Sequence, residues 1–385
     1  MPASLDAPLD TPVAVTGVAM LTCLGDAADT FAALLAGRSG VAKLSHVDTE
    51  ALGVAHGYPI PTGPDGEIQC QAGEWLSQVV AEAAADAGLS PGISPTIRRV
   101  AVVVGSGLRE LRSVERWHVD GAELALSDLH FEHAVRAVLP EVTQVLTISN
   151  ACSAGGYALA VGQDLLTLDE ADAVIVATAD TMTESMLAMI GRVGAEPVTE
   201  LDPFDVDRGG VLLGDGAAAV VLEPDRPDMP ALARIRSVGL SCDAYHETAP
   251  DRAGIAAAIR DAHTRAGVTP DEIGLVVAHG TGTALNDPTE SAALSDVFGA
   301  ARPKVTAIKG ATGHTSGSAA LMSLIVAIEA LRSHTIPAVV GLHTPIPDAA
   351  GLDLVRDEPV HTAERLAQID AFGFGGVNAV TLVEV

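Results

Sequence analysis

Val145-Leu146-Thr147-Ile148-Ser149-Asn150-Ala151-Cys152-Ser153-Ala154-Gly155-Gly156-Tyr157-Ala158-Leu159-Ala160 is the stretch that decides the fold. A short apolar strand at 145–148 runs into Asn150-Ala151-Cys152, and an Ala/Gly/Leu-rich helix follows to about residue 168. A helix built of such small residues can pass through a crowded interior. Cys152 opens it, where partial positive charge and unpaired N–H groups favour thiolate over thiol. That makes Cys152 a candidate nucleophile. Taken alone, an inert buried cysteine explains the same residues equally well.

Outward from this point, strands and helices alternate. Upstream, 13–17 is a buried strand, 27–37 a helix closed by Gly37, 74–88 a helix and 99–105 a second apolar strand. Residues 41–72 are rich in Gly and Pro and are read as a loop or insertion. Downstream, 173–178 and 217–222 are apolar strands, and 224–230 is a seam with three prolines and alternating charges. The pattern then restarts: a strand at 232–240, a helix at 251–266, a strand at 273–278, a helix at 288–298, a strand at 304–308 and a long apolar helix at 316–332. The last strands fall near 353–356, 367–371 and 378–384. Mostly buried strands alternating with helices predict an α/β fold in two successive halves. The expected domains are 1–228 and 229–385.

Composition narrows the function. The formal charge of −28 and the presence of only three lysines, Lys43, Lys304 and Lys309, argue against a nucleic-acid partner. An acidic protein partner would need a local basic patch. Arg98, Arg99, Arg109, Arg112 and Arg116 form the densest basic run, although scattered solvated arginines account for it as well. Cys23, Cys70, Cys152 and Cys242 lie far apart with no C-x-x-C spacing, which disfavours a disulfide framework or zinc site and fits a reducing compartment. No signal peptide or membrane span is visible, so the expected location is cytoplasmic with no membrane partner.

Two histidines add weight to Cys152. His279 follows the strand at 273–278 and enters the turn-rich Gly280-Thr281-Gly282-Thr283. His314 lies in Lys309-Gly-Ala-Thr-Gly-His314-Thr, also between a strand and a helix. Loops at the carboxyl ends of such strands converge on active sites. Rival motifs fail: there is no P-loop, no three-glycine dinucleotide spacing after Gly105-Ser106-Gly107, and no Gly-x-Ser-x-Gly elbow. No third ligand shares a recognisable spacing with the histidines, so metal is the weaker option.

At this point the residues resemble the β-ketoacyl synthase family of the thiolase superfamily. Asn150-Ala151-Cys152-Ser153 resembles its nucleophile motif, and Ala278-His279-Gly-Thr-Gly-Thr283 its first histidine motif. Lys309 with Gly313-His314-Thr315 resembles the second, and Phe372-Gly-Phe374-Gly-Gly-Val-Asn378 the C-terminal glycine loop. Phe204-Asp205-x-x-Arg208 with Gly214-Asp215-Gly216 matches the mid-chain signature. Val15-Thr16-Gly17 and Gly37-Arg38-Ser39-Gly40 match its beginning. The resemblance runs in order over about the whole chain.

It implies a five-layered αβαβα thiolase-like fold with two related halves, associated as a homodimer or as a heterodimer with a ketosynthase-like partner. The implied chemistry is a decarboxylative Claisen condensation. The Cys152 thiolate takes an acyl group from a carrier-protein or coenzyme A thioester. The backbone N–H groups of Cys152 and Phe374 hold the oxyanion, and Phe374 with Phe372 forms the gate. A malonyl-type extender follows, its pantetheine arm on Thr281 and Thr283. His279 and His314 assist decarboxylation and stabilise the enolate. Lys309 adds positive charge and orients the site, with a buried ion pair to Glu290 as its structural alternative. No metal or organic cofactor is implied.

Asn286 before Asp287, Ser323 nine residues after His314, and Gly155-Gly156 after the nucleophile depart from the common pattern. They point to polyketide or specialised fatty-acid synthesis. The rival readings are acyl transfer or cyclisation without decarboxylation, and a non-catalytic partner like a chain-length factor. Cys152 weighs against the last.

Overall fold

The computed structural model describes residues 10–45, 47–62, 70–89, 99–193, 198–227 and 229–385. Among the described residues, eleven strands form one continuous sheet. In chain order they are β1 (Val13–Thr22), β2 (Val100–Gly105), β3 (Gln144–Ile148), β4 (Ala173–Asp180), β5 (Gly216–Pro224), β6 (Ala233–Cys242), β7 (Leu275–Val277), β8 (Lys304–Thr306), β9 (Asp353–Leu354), β10 (Leu366–Gly373) and β11 (Val377–Glu384). The spatial order is β9-β8-β7-β10-β11-β6-β1-β5-β4-β2-β3.

This order contains one pattern twice. In the first half, β1 pairs antiparallel with β5, β5 antiparallel with β4, β4 parallel with β2, and β2 parallel with β3. In the second, β6, β11, β10, β7 and β8 repeat those four pairings in the same senses. The halves join where Val13, Ala14 and Val15 of β1 pair with Ile235, Arg234 and Ala233 of β6.

The helices that build the layers are α1 (Ala27–Leu35), α2 (Gln71–Asp86), α3 (Leu111–Asp120), α4 (Glu132–Val138), α5 (Ala154–Thr167), α6 (Glu184–Val193), α7 (Arg252–Ala266), α8 (Asn286–Phe298) and α9 (Ala319–Arg332). Alternation along the strands decides which helix each face meets, because successive side chains point to opposite faces. In β2, Val102 and Val104 pack with Leu76, Val79 and Val80 of α2 and with Val135 of α4. Ala101 and Val103 turn the other way, into a central core shared by α5, α9 and both halves of the sheet. In β7, Leu275 and Val277 enter that same core, while Val276 meets Ile255 and Ile259 of α7 and Leu294 of α8. The layers therefore run helix, strand, helix, strand, helix, as in the expected αβαβα fold. Strands buried on both faces are continuous apolar runs for this reason.

Most expected elements are present with shifted ends. The strand read at 13–17 continues to Thr22, with a register shift between Val15 and Gly17. The segment read as loop at 41–72 contains a short helix, Thr49–Leu52, and a two-residue strand pair, Ala42–Lys43 with His56–Gly57. Helices α3, α4 and α6 were not anticipated by the periodicity.

The basic run is dispersed. Arg99 pairs with Asp169 and Asp172, and Arg116 pairs with Asp120. Arg112 is buried, with Nη2 donating to the Met182 carbonyl at 2.6 Å. Arg98 lies outside the described residues. No helix among the described residues is long and apolar enough to cross a membrane.

Candidate active site

The two halves use equivalent connections to make the site. After β3, a short 3-10 turn, Ala151–Ser153, carries Cys152 into α5. After β8, the segment from Lys309 through His314 leads into α9. Both helices lie in the central layer, so the pseudo-symmetry brings their leading turns together. The His314 Nε2 to Cys152 Sγ distance is 3.0 Å. His279, from the loop after β7, stands with its ring centroid 5.4 Å from that of His314, at an interplanar angle of 88°. Among the predicted residues, Cys152, His279, His314 and Lys309 converge on one another.

Small residues make this convergence possible. A Cβ on Gly155 would lie 2.9 Å from the Gly317 carbonyl oxygen and 3.1 Å from Ala320 Cβ. A Cβ on Gly156 would lie 2.5 Å from Ala379 Cβ. The Ala/Gly pattern of α5 is the close approach of three elements read in sequence. Ala151 adopts φ 57°, a left-handed turn that delivers Cys152 ahead of the helix. His314 is fixed through its backbone, donating its N–H to the Leu212 carbonyl at 2.8 Å and accepting from the Gly214 N–H at 3.1 Å.

The expected electrostatics of Cys152 need a correction. Its own backbone N–H and that of Phe374 hydrogen-bond toward the sulfur, and Lys309 adds charge, all favouring thiolate. Burial nevertheless dominates, joined by the negative charge of Asp180, and pushes the thiol up to about 11. Desolvation of the charged form outweighs the helix terminus here. Burial also holds both imidazoles well below the ordinary histidine range, with the nearby Lys309 charge as the second cause. The site therefore pairs a neutral thiol with neutral imidazoles.

Lys309 does not form the direct ion pair considered for it. Its Nζ donates to the His279 carbonyl and lies 3.3 Å from His279 Nδ1. An ammonium facing Nδ1 leaves the imidazole proton on Nε2. Glu290 acts electrostatically on Lys309 but spends its oxygens elsewhere. It accepts from the N–H of His279 at 2.6 Å, of Gly280 at 2.9 Å, and from Asn286 Nδ2 at 3.0 Å. Lys309 and Glu290 thus clamp the His279 loop from its carbonyl and amide sides.

The remaining predicted residues lie on the His279 loop and the C-terminal hairpin. Phe372 is buried with its ring 5.6 Å from His279, while Phe374 is 47 % exposed. Asn378 supports that hairpin through Ser241, Asp243 and the Gly376 carbonyl. Thr281 Oγ1 and Thr283 Oγ1 are 3.0 Å apart, and Arg208 Nε donates to the Thr283 carbonyl at 3.1 Å.

Sequence reading missed Asp180. It is buried at the end of β4 and accepts from Ser106 Oγ and Gly107 N–H, each at 2.9 Å, and from Ser318 Oγ at 3.5 Å. It thereby ties the β2 loop to the turn after His314, and burial pushes its carboxyl up to about 7. The available signal was an acid closing a strand whose every residue is buried.

Comparisons with known proteins identify the family. The chain is 29 % identical over 407 residues to 3-oxoacyl-[acyl-carrier-protein] synthase 2 of Vibrio cholerae serotype O1, covering 95 % of this chain and 97 % of that one. It is 28 % identical over 397 residues to nodulation protein E of Rhizobium meliloti, covering 97 % and 98 %. Among solved structures, the ishigamide ketosynthase/chain length factor matches with a TM-score of 0.87 at 31 % identity, covering 98 % and 99 %. The family models "Beta-ketoacyl synthase, N-terminal domain" and "Beta-ketoacyl synthase, C-terminal domain" match residues 71–227 and 232–343. The chain belongs to the β-ketoacyl synthase family and has its thiolase fold.

Proposed function

We propose that this chain is an acyl-transferring condensing enzyme that joins a Cys152-bound acyl group to a malonyl-type thioester with loss of carbon dioxide. The observation that carries the reading is the 3.0 Å approach of His314 Nε2 to Cys152 Sγ, with His279 beside it. In the first half-reaction the Cys152 thiol passes its proton to His314 as sulfur attacks the donor thioester. The N–H groups of Cys152 and Phe374 receive the oxyanion, and the departing carrier thiol takes up the proton. In the second, the extender's carboxyl carbon leaves as carbon dioxide. The electron pair left behind forms the new carbon–carbon bond to the acyl carbon. The thioester bond between the acyl carbon and the Cys152 sulfur breaks, and the sulfur takes up one proton from solvent by way of His314. His279, with its proton on Nε2, and His314, once it carries its own proton on Nε2 beside the acylated Cys152, hold the enolate oxygen between these events.

Thr281 and Thr283 are assigned to the pantetheine arm, Phe374 and Phe372 to the gate, and Lys309 with Glu290 to orientation of His279. An acyl carrier protein is the proposed thioester carrier, after the name of the Vibrio relative; coenzyme A is the alternative. We further propose two functional halves at 1–228 and 229–385, a cytoplasmic location, and a dimer of like or related chains. Polyketide or specialised fatty-acid synthesis is the proposed setting.

Mass spectrometry after incubation with an acyl thioester tests the first half-reaction, and release of carbon dioxide from a malonyl carrier tests the second. Acyl-Cys152 and carbon dioxide are both expected. Cys152→Ala should abolish acylation, and Cys152→Gln should retain or raise decarboxylation because the amide mimics the acylated state. Acylation without carbon dioxide would favour simple transfer. Turnover surviving Cys152→Ala would remove the nucleophile assignment.

A further inference from the structure

Behind the His279 loop lies a buried acid that the mechanism above does not use. Asp370, on β10, is 2 % exposed. Its Oδ1 accepts from Gln368 Nε2 at 2.8 Å. Gln368 Oε1 in turn lies 2.8 Å from His263 Nε2, and the His263 ring packs edge-on to Phe298 at 5.7 Å. Asp370 Oδ2 is buried and has no hydrogen-bond partner among the described residues.

The charged groups around it are unevenly supported. Glu290, on α8, has the three donors named above. Asp287, on the same helix, accepts from the N–H of Phe204 at 2.7 Å and of Thr281 at 3.2 Å, and from Asn286 Nδ2 at 3.3 Å, with Arg208 in electrostatic reach. Lys309 is the cation that acts on both Glu290 and Asp370, and its hydrogen bonds go to His279. His263, facing Gln368 from α7, is kept neutral by burial. A carboxylate with several N–H donors tolerates burial far better than one with a bare oxygen.

We propose that Asp370 is the uncharged member of this cluster, keeping its proton so that it offers Lys309 no counter-charge in competition with His279. Oδ1, facing an amide donor, is then the carbonyl oxygen, and Oδ2 carries the hydrogen. Burial, with the charge of Glu290 next, pushes this acid well above the usual carboxylate range, in agreement with that assignment. An ionised Asp370 would instead offer Lys309 a second anion whose Oδ2 has no donor among the described residues. Lys309 would leave His279 Nδ1, and the imidazole proton would no longer be held on Nε2.

The location of the proton stands apart from the condensation reading, whereas its consequence for His279 rests on it, so the test has two arms. The first is thermal stability against pH for wild type and Asp370→Asn. A native state that keeps this proton while the unfolded chain releases it loses stability as pH rises above about 4. The asparagine variant lacks that loss, so its Tm should gain on wild type between about pH 5 and 8. A gap that stays flat or reverses overturns the assignment.

The second arm is malonyl decarboxylation against pH. Asp370→Asn should keep its neutral-pH rate within about twofold, with an alkaline limb that matches wild type. If Asp370 were an anion, its removal would strip Lys309 of a counter-charge. The limb would then move down by about one pH unit, tenfold in rate on its slope. Asp370→Leu serves as the second neutral replacement if the asparagine variant folds poorly, with the same expected and contrary outcomes. A shifted limb would reveal an anion at Asp370 beside Lys309 and would overturn the proposal even with a positive first arm.

Discussion

Cys152 has two backbone N–H groups, an imidazole at 3.0 Å and an ammonium in reach, and still its thiol is pushed up to about 11. At neutral pH the free thiolate is then on the order of one part in ten thousand. The nucleophile has to be made as substrate binds, by transfer to His314, rather than stored. Alkylation by iodoacetamide, followed by mass spectrometry, should climb about tenfold per pH unit from neutral upward, without a plateau below about pH 10. A plateau near neutral pH would contradict this. Asp180→Asn should speed alkylation above about pH 7, where that carboxyl is ionised, and leave it unchanged below. Lys309→Met should slow it, because the ammonium favours the thiolate. Glu290→Gln presents a stricter case. Its amide would turn a donor toward the N–H of either His279 or Gly280, so about 3 kcal/mol of stability should be lost. Thermal denaturation measures that loss, and kcat should fall with it as the His279 loop shifts.

Helix α5 can stand at the centre of the molecule only because its leading turn is almost without side chains. Gly156→Ala should cost about 1–3 kcal/mol, since its Cβ would meet Ala379 Cβ at 2.5 Å with sheet on both sides. Gly73→Ala in α2 is the control: the added carbon finds ordinary contacts at 3.5 Å, and helix propensity alone predicts a gain of about 0.5–1 kcal/mol. Paired melting curves would separate the two. The same contrast explains what was legible beforehand. Strands β2, β4 and β5 and helix α9 are buried almost throughout, so burial is written in nearly every residue and their types can be read directly. Helix α3 buries only Arg112 and Ser113, and its polar composition reads as a basic run rather than an element. His279 and His314 could be found because glycine and threonine turns mark them locally, Cys152 because it opens a small-residue helix, and Lys309 through the family motif it shares with His314. Asp180 could not, since its partners Ser106 and Ser318 lie 74 and 138 residues away. Asp370 is hidden similarly, its environment being set by α7, α8 and the Lys309 turn together.

Across the whole molecule, the eleven-strand order ends on β3, the strand that feeds Cys152. A terminal strand exposes a row of unpaired backbone groups, which proteins cover or blunt. Here it carries Leu146 at 37 % exposure, and the neighbouring turn Leu126–His130, tied to it through Thr147, leaves Leu126 74 % exposed. A second copy related by a two-fold axis would pair β3 with β3 antiparallel and continue the sheet across the interface. The buried area should exceed the roughly 1,200–2,000 Å² of standard complexes, because the nucleophile turn and its flanking helices would be drawn in. Net charge of −28 on each copy opposes association, but charges remote from the contact are screened beyond about 8 Å at physiological salt. Association should therefore tighten as salt rises, opposite to an ion-paired interface. Light scattering at micromolar protein should give twice the chain mass. Thr147→Pro, which removes a ladder N–H and forbids the pairing, should give monomers with impaired Cys152 acylation. A wild-type monomer that condenses normally would refute both the pairing and the role given to this strand.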